Sequence, residues 1–284
     1  TYTTGNKIFS APFITPKLVI VSSCDGFVYA LDKKRGTIRW KYNTNYPIVA
    51  CPVVANATIY IGSSNGKFYS LKLVDGTLNW VCEGLQGYIE SRPAVNKEHV
   101  YIGTWGAMFY AIDRKTGKKV WEFDTKRSRY FSPGACWPIV LPYTSQSKKA
   151  EQVIVLSSDY FIRAFQPDNG DILWASDKAK GRESLGFSPD GKTMYVKGIK
   201  DNITAVDISH GEYTTLWSTS MPYKGNFIPT RMETTGQLVF IPTEFGVLHA
   251  VKTDGSGIAW SHKISHSAIT SLINAGKGKV IVMT

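Results

Sequence analysis

The sequence predicts an all-β fold made of similar four-stranded antiparallel sheets, and three observations lead to this prediction. A short apolar strand, a polar turn closed by glycine and a second strand containing tryptophan recur from end to end. The marker tryptophans lie 40 to 43 residues apart, except for one interval of 53. They are Trp40, Trp80, Trp121, Trp174, Trp217 and Trp260. A fixed period of this size is typical of repeat folds, and an aromatic content of 13% favours strands.

The first repeat shows the order of its elements. Asp25-Gly26 is a two-residue turn of the kind that connects hairpin strands, and a second polar turn ends at Gly36. Short strands joined by such turns form one antiparallel meander. The four predicted strands of this repeat are 10–14, 18–21, 27–32 and 37–42.

The same plan divides residues 1–284 into repeats of a single domain. An insertion within 134–152 is expected to extend a loop of the fourth repeat. Single meanders cannot bury both faces, so they must stack, and stacked four-stranded sheets around an axis form a β-propeller. We expect seven blades, the last completed either by a strand from residues 1–5 or by strands outside this chain. The repeats are 8–43, 48–83, 89–124, 135–177, 184–219, 226–263 and the partial 268–284.

The frame Ala-x-Asp-x-x-x-Gly-x-x-x-Trp at 30–40 and 111–121 resembles the tryptophan-docking motif of pyrroloquinoline-quinone-like propeller repeats. The six marker tryptophans are therefore expected to dock one blade on another, with an indole filling the slot beside the small residue of a neighbouring sheet. The family includes quinone-dependent dehydrogenases, a lipoprotein of the outer-membrane barrel-assembly machine, and accessory domains fused to hydrolases such as metallophosphoesterases. The resemblance implies an exported bacterial protein, periplasmic or extracellular.

Composition and charge limit the function classes. The net charge is +11, but the basic residues are spread over every repeat, which argues against a specific nucleic-acid site. No apolar stretch is long enough for a membrane span. The cysteines, Cys24, Cys51, Cys82 and Cys136, form no C-x-x-C pair, which indicates buried thiols and leaves their disulfide state open.

The residues do not support a catalytic centre. The resemblance implies that a dehydrogenase of this family would hold pyrroloquinoline quinone and calcium with acidic and amide side chains and carry adjacent cysteines. Here no two cysteines are adjacent, and most aspartates belong to Asp-Gly turns or to the frame. The five histidines are dispersed, and no nucleophile or phosphate-loop motif occurs. We therefore expect neither cofactor nor metal.

A binding role is the preferred interpretation. The segments leading into the first strands should line the mouth of the axial channel, where arginine and aromatic residues favour recognition. The candidate ligand-binding residues are Arg92, Arg231, Arg182, Glu90 and Trp137. The residues around the insertion, Trp105, Trp137, Pro138 and Pro142, form a second candidate surface.

The sequence thus predicts a non-catalytic binding or scaffold propeller for a protein or small anionic ligand. Two alternatives stay open: a quinone- and calcium-dependent dehydrogenase domain, and an accessory propeller fused to a hydrolase.

Overall fold

The computed structural model describes the chain except for residues 127–136, 146–147, 158, 223–229 and 277–278, and except for the side chains of 145 and 182–184. Every regular element in the described residues is a strand, and neighbouring strands within a sheet are consecutive in the chain. The result is six four-stranded sheets and one two-stranded sheet, so the predicted repeat of meanders is confirmed.

The first three sheets have short first strands. Sheet one contains β1 (Phe13–Ile14), β2 (Leu18–Ser22), β3 (Phe27–Asp32) and β4 (Ile38–Asn43). Sheet two contains β5 (Val53–Ala55), β6 (Thr58–Gly62), β7 (Phe68–Lys72) and β8 (Leu78–Cys82). Sheet three contains β9 (Ala94–Val95), β10 (His99–Gly103), β11 (Met108–Asp113) and β12 (Lys119–Asp124).

The remaining sheets follow the same order. Sheet four contains β13 (Ile139–Ser145), β14 (Lys148–Leu156), β15 (Ile162–Phe165) and β16 (Ile172–Ser176). Sheet five contains β17 (Gly181–Phe187), β18 (Thr193–Gly198), β19 (Asn202–Asp207) and β20 (Thr214–Ser220). Sheet six contains β21 (Glu233–Thr234), β22 (Leu238–Pro242), β23 (Val247–Lys252) and β24 (Ile258–Lys263), and sheet seven contains β25 (Ser271–Gly276) and β26 (Lys279–Met283).

These sheets divide between two compact units. The first unit consists of residues 1–140 and 167–170, and the second of residues 141–166 and 171–284. In both units the core lies between consecutive sheets. Ile20 of sheet one and Ile59 of sheet two belong to one buried cluster of the first unit, and Ile203 and Val239 of sheets five and six to one of the second. Burial of both faces of a sheet therefore needs a neighbouring sheet.

Among the described residues, tryptophan indoles join consecutive sheets in four places, through what we call the indole–turn contact. Each indole Nε1 donates a hydrogen bond to a carbonyl in the turn between the third and fourth strands of the following sheet. The glycine of that turn lies against the ring, since a Cβ there would come within 2.4 to 2.6 Å of an indole carbon. The bonds run from Trp40 to Leu73 O (3.1 Å), from Trp80 to Arg114 O (2.9 Å), from Trp121 to Pro167 O (2.8 Å) and from Trp217 to Thr253 O (2.9 Å).

The small residue of the frame has a different role from the one expected. Ala30 pairs in register with Trp40, the tryptophan of its own sheet, and Ala111 pairs with Trp121 in the same way. A bulge follows each of these alanines. Cross-strand partners share one face of a sheet, so the small side chain leaves room for the indole beside it. The prediction that this slot receives the indole of a neighbouring sheet was wrong.

The aspartate of the frame shapes the turn that receives the indole. In sheet three, the Asp113 carboxylate accepts hydrogen bonds from the backbone N–H of Lys115 (3.0 Å) and of Thr116 (2.7 Å). These bonds hold the turn in which Arg114 offers its carbonyl to Trp80. Asp and Asn favour such turns because their side chains bond their own backbone two or three residues on.

One expected detail differs in the structure. The inserted segment of the fourth repeat is partly strand, because β13 and β14 extend to seven and nine residues where a longer loop was expected. Among the described residues, sheet seven contains β25 and β26, and residues 1–5 lie outside the strands. Of the cysteines, Cys24, Cys51 and Cys82 are free thiols, and Cys136 lies outside the described residues.

The indole–turn contact predicts unequal effects of adding one methyl group at two glycines of the same turn type. Gly117 has φ of +72° and lies against Trp80, whereas Gly36 has φ of +69° with open space beside it. Gly117→Ala should cost about 3 kcal/mol of unfolding free energy, from backbone strain plus steric overlap. Gly36→Ala should cost about 1 kcal/mol, from strain alone. Urea unfolding measures both, and equal losses would contradict the contact.

The turn aspartates predict acid sensitivity. The backbone N–H of Arg35 and the guanidinium of Arg39 lower the pKa of Asp32 to about 2. Because the folded pKa lies below the unfolded value of about 3.9, the stabilisation is present above pH 4 and lost as the pH falls through about 2. The urea concentration at the midpoint of unfolding should therefore decrease as the pH falls over this range. The decrease should be less steep in Asp32→Asn than in the wild type. An identical pH dependence in both proteins would contradict this role.

Candidate functional site

The segment that leads into β9 alternates between buried and accessible side chains. Ile89 and Ser91 are fully buried, and Ser91 Oγ donates a hydrogen bond to Gly103 O at 3.1 Å. Tyr88 is exposed, while Glu90 and Arg92 are half-buried. Anchoring of alternate residues therefore holds Tyr88, Glu90 and Arg92 where solvent reaches them.

A second loop of sheet three places Trp105 against this segment. The Trp105 indole Nε1 donates to Glu90 Oε2 at 2.8 Å, and its ring stacks on Tyr88 with centroids 5.7 Å apart and planes inclined by 24°. The loops approach so closely that a Cβ on Gly87, which has φ of +80°, would lie 2.2 Å from Gly106 N. Glycine at both positions thus permits the contact, and the hydrogen bond and the stack together orient the indole.

Arg92 extends the same surface toward Trp137. Its guanidinium carbon lies 5.8 Å from the ring centroid of Trp137, which is 39% exposed. Contacts of this kind contribute about 0.5–1 kcal/mol at exposed sites. Burial raises the pKa of the Cys51 thiol, whereas the Ala11 N–H and the charge of Arg92 act in the opposite direction. The charge of Arg92 thus acts on this buried thiol, and its guanidinium lies over this exposed ring.

We call Tyr88, Glu90, Arg92, Trp105 and Trp137 the aromatic–charged cluster; all five residues belong to the first unit. Three of them, Glu90, Arg92 and Trp137, are residues that the sequence predicts for ligand binding. The cluster combines one cation, one carboxylate and three accessible rings. Such a set suits recognition of a partner that offers both a negative charge and apolar area.

The other two predicted residues are placed elsewhere. Arg231 lies in the second unit, with its guanidinium carbon 6.0 Å from the ring centroid of Phe187. Burial raises the pKa of the neighbouring Glu233, and the charge of Arg231 opposes that shift. Arg182 belongs to β17, but its side chain lies outside the described residues. The first unit therefore holds the larger assembled part of the predicted site.

Sequence reasoning missed Tyr88 and assigned Trp105 to the surface around the insertion. A signal for Tyr88 was present, because Tyr88 lies two residues before Glu90 and four before Arg92. Residues two apart on an extended chain share a face.

In the described residues, no group of three or more His, Cys, Asp or Glu side chains lies close enough together to hold a metal ion. No helix in this part of the chain is long and apolar enough to cross a membrane.

Comparison with known proteins supports the repeat type. Residues 2–134, a little under half of the chain, match the family model described as outer membrane protein assembly factor BamB. This match confirms the resemblance to quinoprotein-type repeats for that part of the chain. No curated protein sequence matches significantly.

Solved structures extend the likeness to almost the whole chain. BamB from Moraxella catarrhalis is 17% identical, with a TM-score of 0.75 over 96% of this chain and 81% of that protein. The fold is a β-propeller. The quinohemoprotein alcohol dehydrogenase ADHIIG from Pseudomonas putida HK5 is 14% identical, with a TM-score of 0.73 over 95% of this chain and 61% of that protein.

A third structure, the computationally designed Ika8 protein, is also 14% identical, with a TM-score of 0.76 over 96% of this chain and 79% of Ika8. An assembly factor, a dehydrogenase and a designed protein thus share this architecture. At these identities the likeness shows the fold alone. The function must be argued from the residues of this propeller.

The Glu90–Trp105 hydrogen bond predicts a measurable ordering of the cluster. In Glu90→Ala the Trp105 indole N–H loses its acceptor, so its exchange with solvent should be about tenfold faster, as expected for one hydrogen bond of about 1 kcal/mol or slightly more. Glu90→Gln keeps an acceptor oxygen and should exchange nearly as slowly as the wild type. Nuclear magnetic resonance of the indole N–H reports both, and no change in Glu90→Ala would contradict the geometry.

Proposed function

We propose that this propeller is a binding or scaffold domain of an exported bacterial protein. Its aromatic–charged cluster recognises an acidic segment of a protein partner or a small anionic ligand. The observation that carries the proposal is the ordered pairing of charge and aromatic surface in one place: Arg92 over Trp137, and Glu90 fixing Trp105 against Tyr88. Rings of this kind supply contact area at little conformational cost, and arginine supplies the charge.

The electrostatics support an anionic partner. The chain carries a net charge of +11, which attracts anions from a distance. Within the cluster Glu90 accepts the Trp105 indole N–H, and the guanidinium of Arg92 lies over the exposed ring of Trp137. A carboxylate bound beside Trp137 would interact with the positive charge of Arg92, and the apolar neighbour of that carboxylate would contact the ring.

The comparisons favour a protein partner and export. The matching family model is described as an assembly factor for outer membrane proteins, and BamB from Moraxella catarrhalis has the same fold. A propeller that serves in assembly needs an accessible recognition surface and no reactive centre. One alternative, a quinone- and calcium-dependent dehydrogenase, requires side chains that bind both the quinone and the calcium ion. The other alternative, an accessory domain fused to a hydrolase, would be compatible with the same binding surface.

The proposal predicts a selective effect of Arg92. The probe is a short peptide in which a tryptophan is flanked by glutamates. Isothermal titration calorimetry measures its binding to the whole chain, and inorganic phosphate is titrated separately for comparison. Arg92→Ala should weaken peptide binding about tenfold, corresponding to about 1.4 kcal/mol. Arg39→Ala is the matched control, because it removes the same charge from an exposed ion pair with Asp32 and should change the affinity less than twofold.

The aromatic part of the surface is tested in the same titration. Trp137→Ala should weaken binding of the peptide but leave binding of phosphate unchanged. Trp137→Phe should retain most of the affinity for the peptide. Equal weakening by Arg92→Ala and Arg39→Ala would contradict the proposal. Dye-linked alcohol oxidation after reconstitution with pyrroloquinoline quinone and calcium would replace it with the dehydrogenase alternative.

A further inference from the structure

A cavity of about 590 Å³ lies at one end of sheets one and two. It is lined by residues in and beside the turn between β1 and β2, the turn between β3 and β4, and the corresponding turns of sheet two. Its volume lies in the range of about 300–1,000 Å³ that is typical of small-molecule sites. In sheet three the corresponding turns lie at the strand ends opposite to Tyr88 and Trp105. The cavity is therefore separate from the aromatic–charged cluster.

The contact between sheets two and three shows how the same position can be filled by the protein itself. Arg114 offers its carbonyl to the indole of the preceding sheet, as Leu73 does in sheet two, so the two positions are equivalent. The Arg114 side chain reaches back to sheet two, where its Nε donates to Tyr60 Oη at 3.1 Å. Its guanidinium carbon lies 5.6 Å from the centroid of the Tyr60 ring. Leu73 is shorter and apolar, and it lines the cavity.

Much of the cavity lining is apolar. Leu18 and Leu73 are half-buried and pack against the core cluster of sheets one and two, and Val74 beside them is 78% exposed. Ala57 contributes a methyl group at a φ of +58°, a conformation that glycine adopts more easily in a two-residue hairpin turn. The sequence therefore keeps an apolar side chain at this position although the backbone conformation is strained.

Basic side chains accompany this apolar surface. Lys17 and Lys34 line the cavity and are exposed, and neither belongs to an ion pair of the described residues. Arg39 also lines it, but its Nη2 donates to Asp32 Oδ2 at 2.7 Å. The lining thus carries three cations and one carboxylate, which leaves two positive charges in excess. An anionic group bound here would interact with Lys17 and Lys34.

We infer that this cavity binds a small amphipathic carboxylate. The apolar body of the ligand lies against Ala57, Leu73 and Val74, and its carboxylate pairs with Lys17 and Lys34.

The two parts of the lining specify this ligand class together. An inorganic anion would interact with the lysines but would leave the apolar surface exposed to water. A neutral apolar molecule would cover that surface but would gain nothing from the two positive charges. A molecule with an apolar body and one carboxylate matches both, because burial of the body supplies affinity and the charges fix its orientation.

The test uses the whole chain and three probes: octanoate, octan-1-ol, which lacks the charge, and acetate, which lacks the alkyl chain. Nuclear magnetic resonance titrations measure each affinity and locate the site. We expect octanoate to shift the backbone amide signals of Ala57, Leu73 and Val74 at millimolar concentration. Octanoate should bind about fivefold more tightly than octan-1-ol, as expected for two exposed charge pairs. Acetate should produce no saturable shift at these residues.

Variants separate the roles of charge and apolar surface. The double variant Lys17→Ala, Lys34→Ala should weaken octanoate binding about fivefold and leave octan-1-ol binding unchanged. Val74→Ser should weaken binding of both about threefold, because it removes apolar contact area. Lys33→Ala is the matched control, since it removes the same charge from an exposed neighbour that does not line the cavity. It should change neither affinity by more than about twofold. Urea unfolding verifies that each variant is folded.

Several results would overturn the inference. They are the absence of octanoate shifts at Ala57, Leu73 and Val74, equal affinities for octanoate and octan-1-ol, and saturable acetate binding as tight as that of octanoate. Weakening of octanoate by Lys33→Ala as large as that by the double variant would also overturn it, because the effect would then be one of net charge. Arg92→Ala should leave octanoate binding unchanged, so the outcome is independent of the proposed function.

Discussion

The contact between a tryptophan indole and the turn of the next sheet is the interaction on which the rest of this propeller depends. A meander of four short strands has two apolar faces and cannot bury them alone. The indole joins neighbouring sheets through a large apolar area and one directional hydrogen bond, as from Trp80 to Arg114 O. The bond fixes where the next turn lies, and the glycine lets the backbone approach the ring.

The residues proposed for binding lie at positions that the repeat leaves variable. Residues of the frame are occupied by turn formation and packing, as Asp113 shows by bonding Lys115 and Thr116. The segments that enter the first strands alternate between anchors, such as Ile89, and accessible side chains, such as Arg92. The same scaffold can therefore serve an assembly factor, a dehydrogenase or a designed protein, because these variable positions decide what it binds.

The marker spacing predicted the strand order because hydrophobic alternation and Asp-Gly turns act locally. The candidate site could be predicted only in part. Arg92 and Glu90 lie two residues apart, so their common surface follows from strand alternation. Trp105 comes from another loop, and its stack on Tyr88 depends on the approach of Gly87, ahead of β9, to Gly106, between β10 and β11. Nothing in the local sequence states which loops will meet.

By itself the sequence determined the all-β class, the repeat length and the residues that mark each turn, because these depend on periodicity and on the conformational needs of glycine and aspartate. Only the tertiary structure decided which indole meets which turn and that Ala30 faces its own tryptophan. These outcomes depend on the register between strands and on the packing of one sheet against the next. Both join residues that are distant in the chain, and no local pattern encodes them.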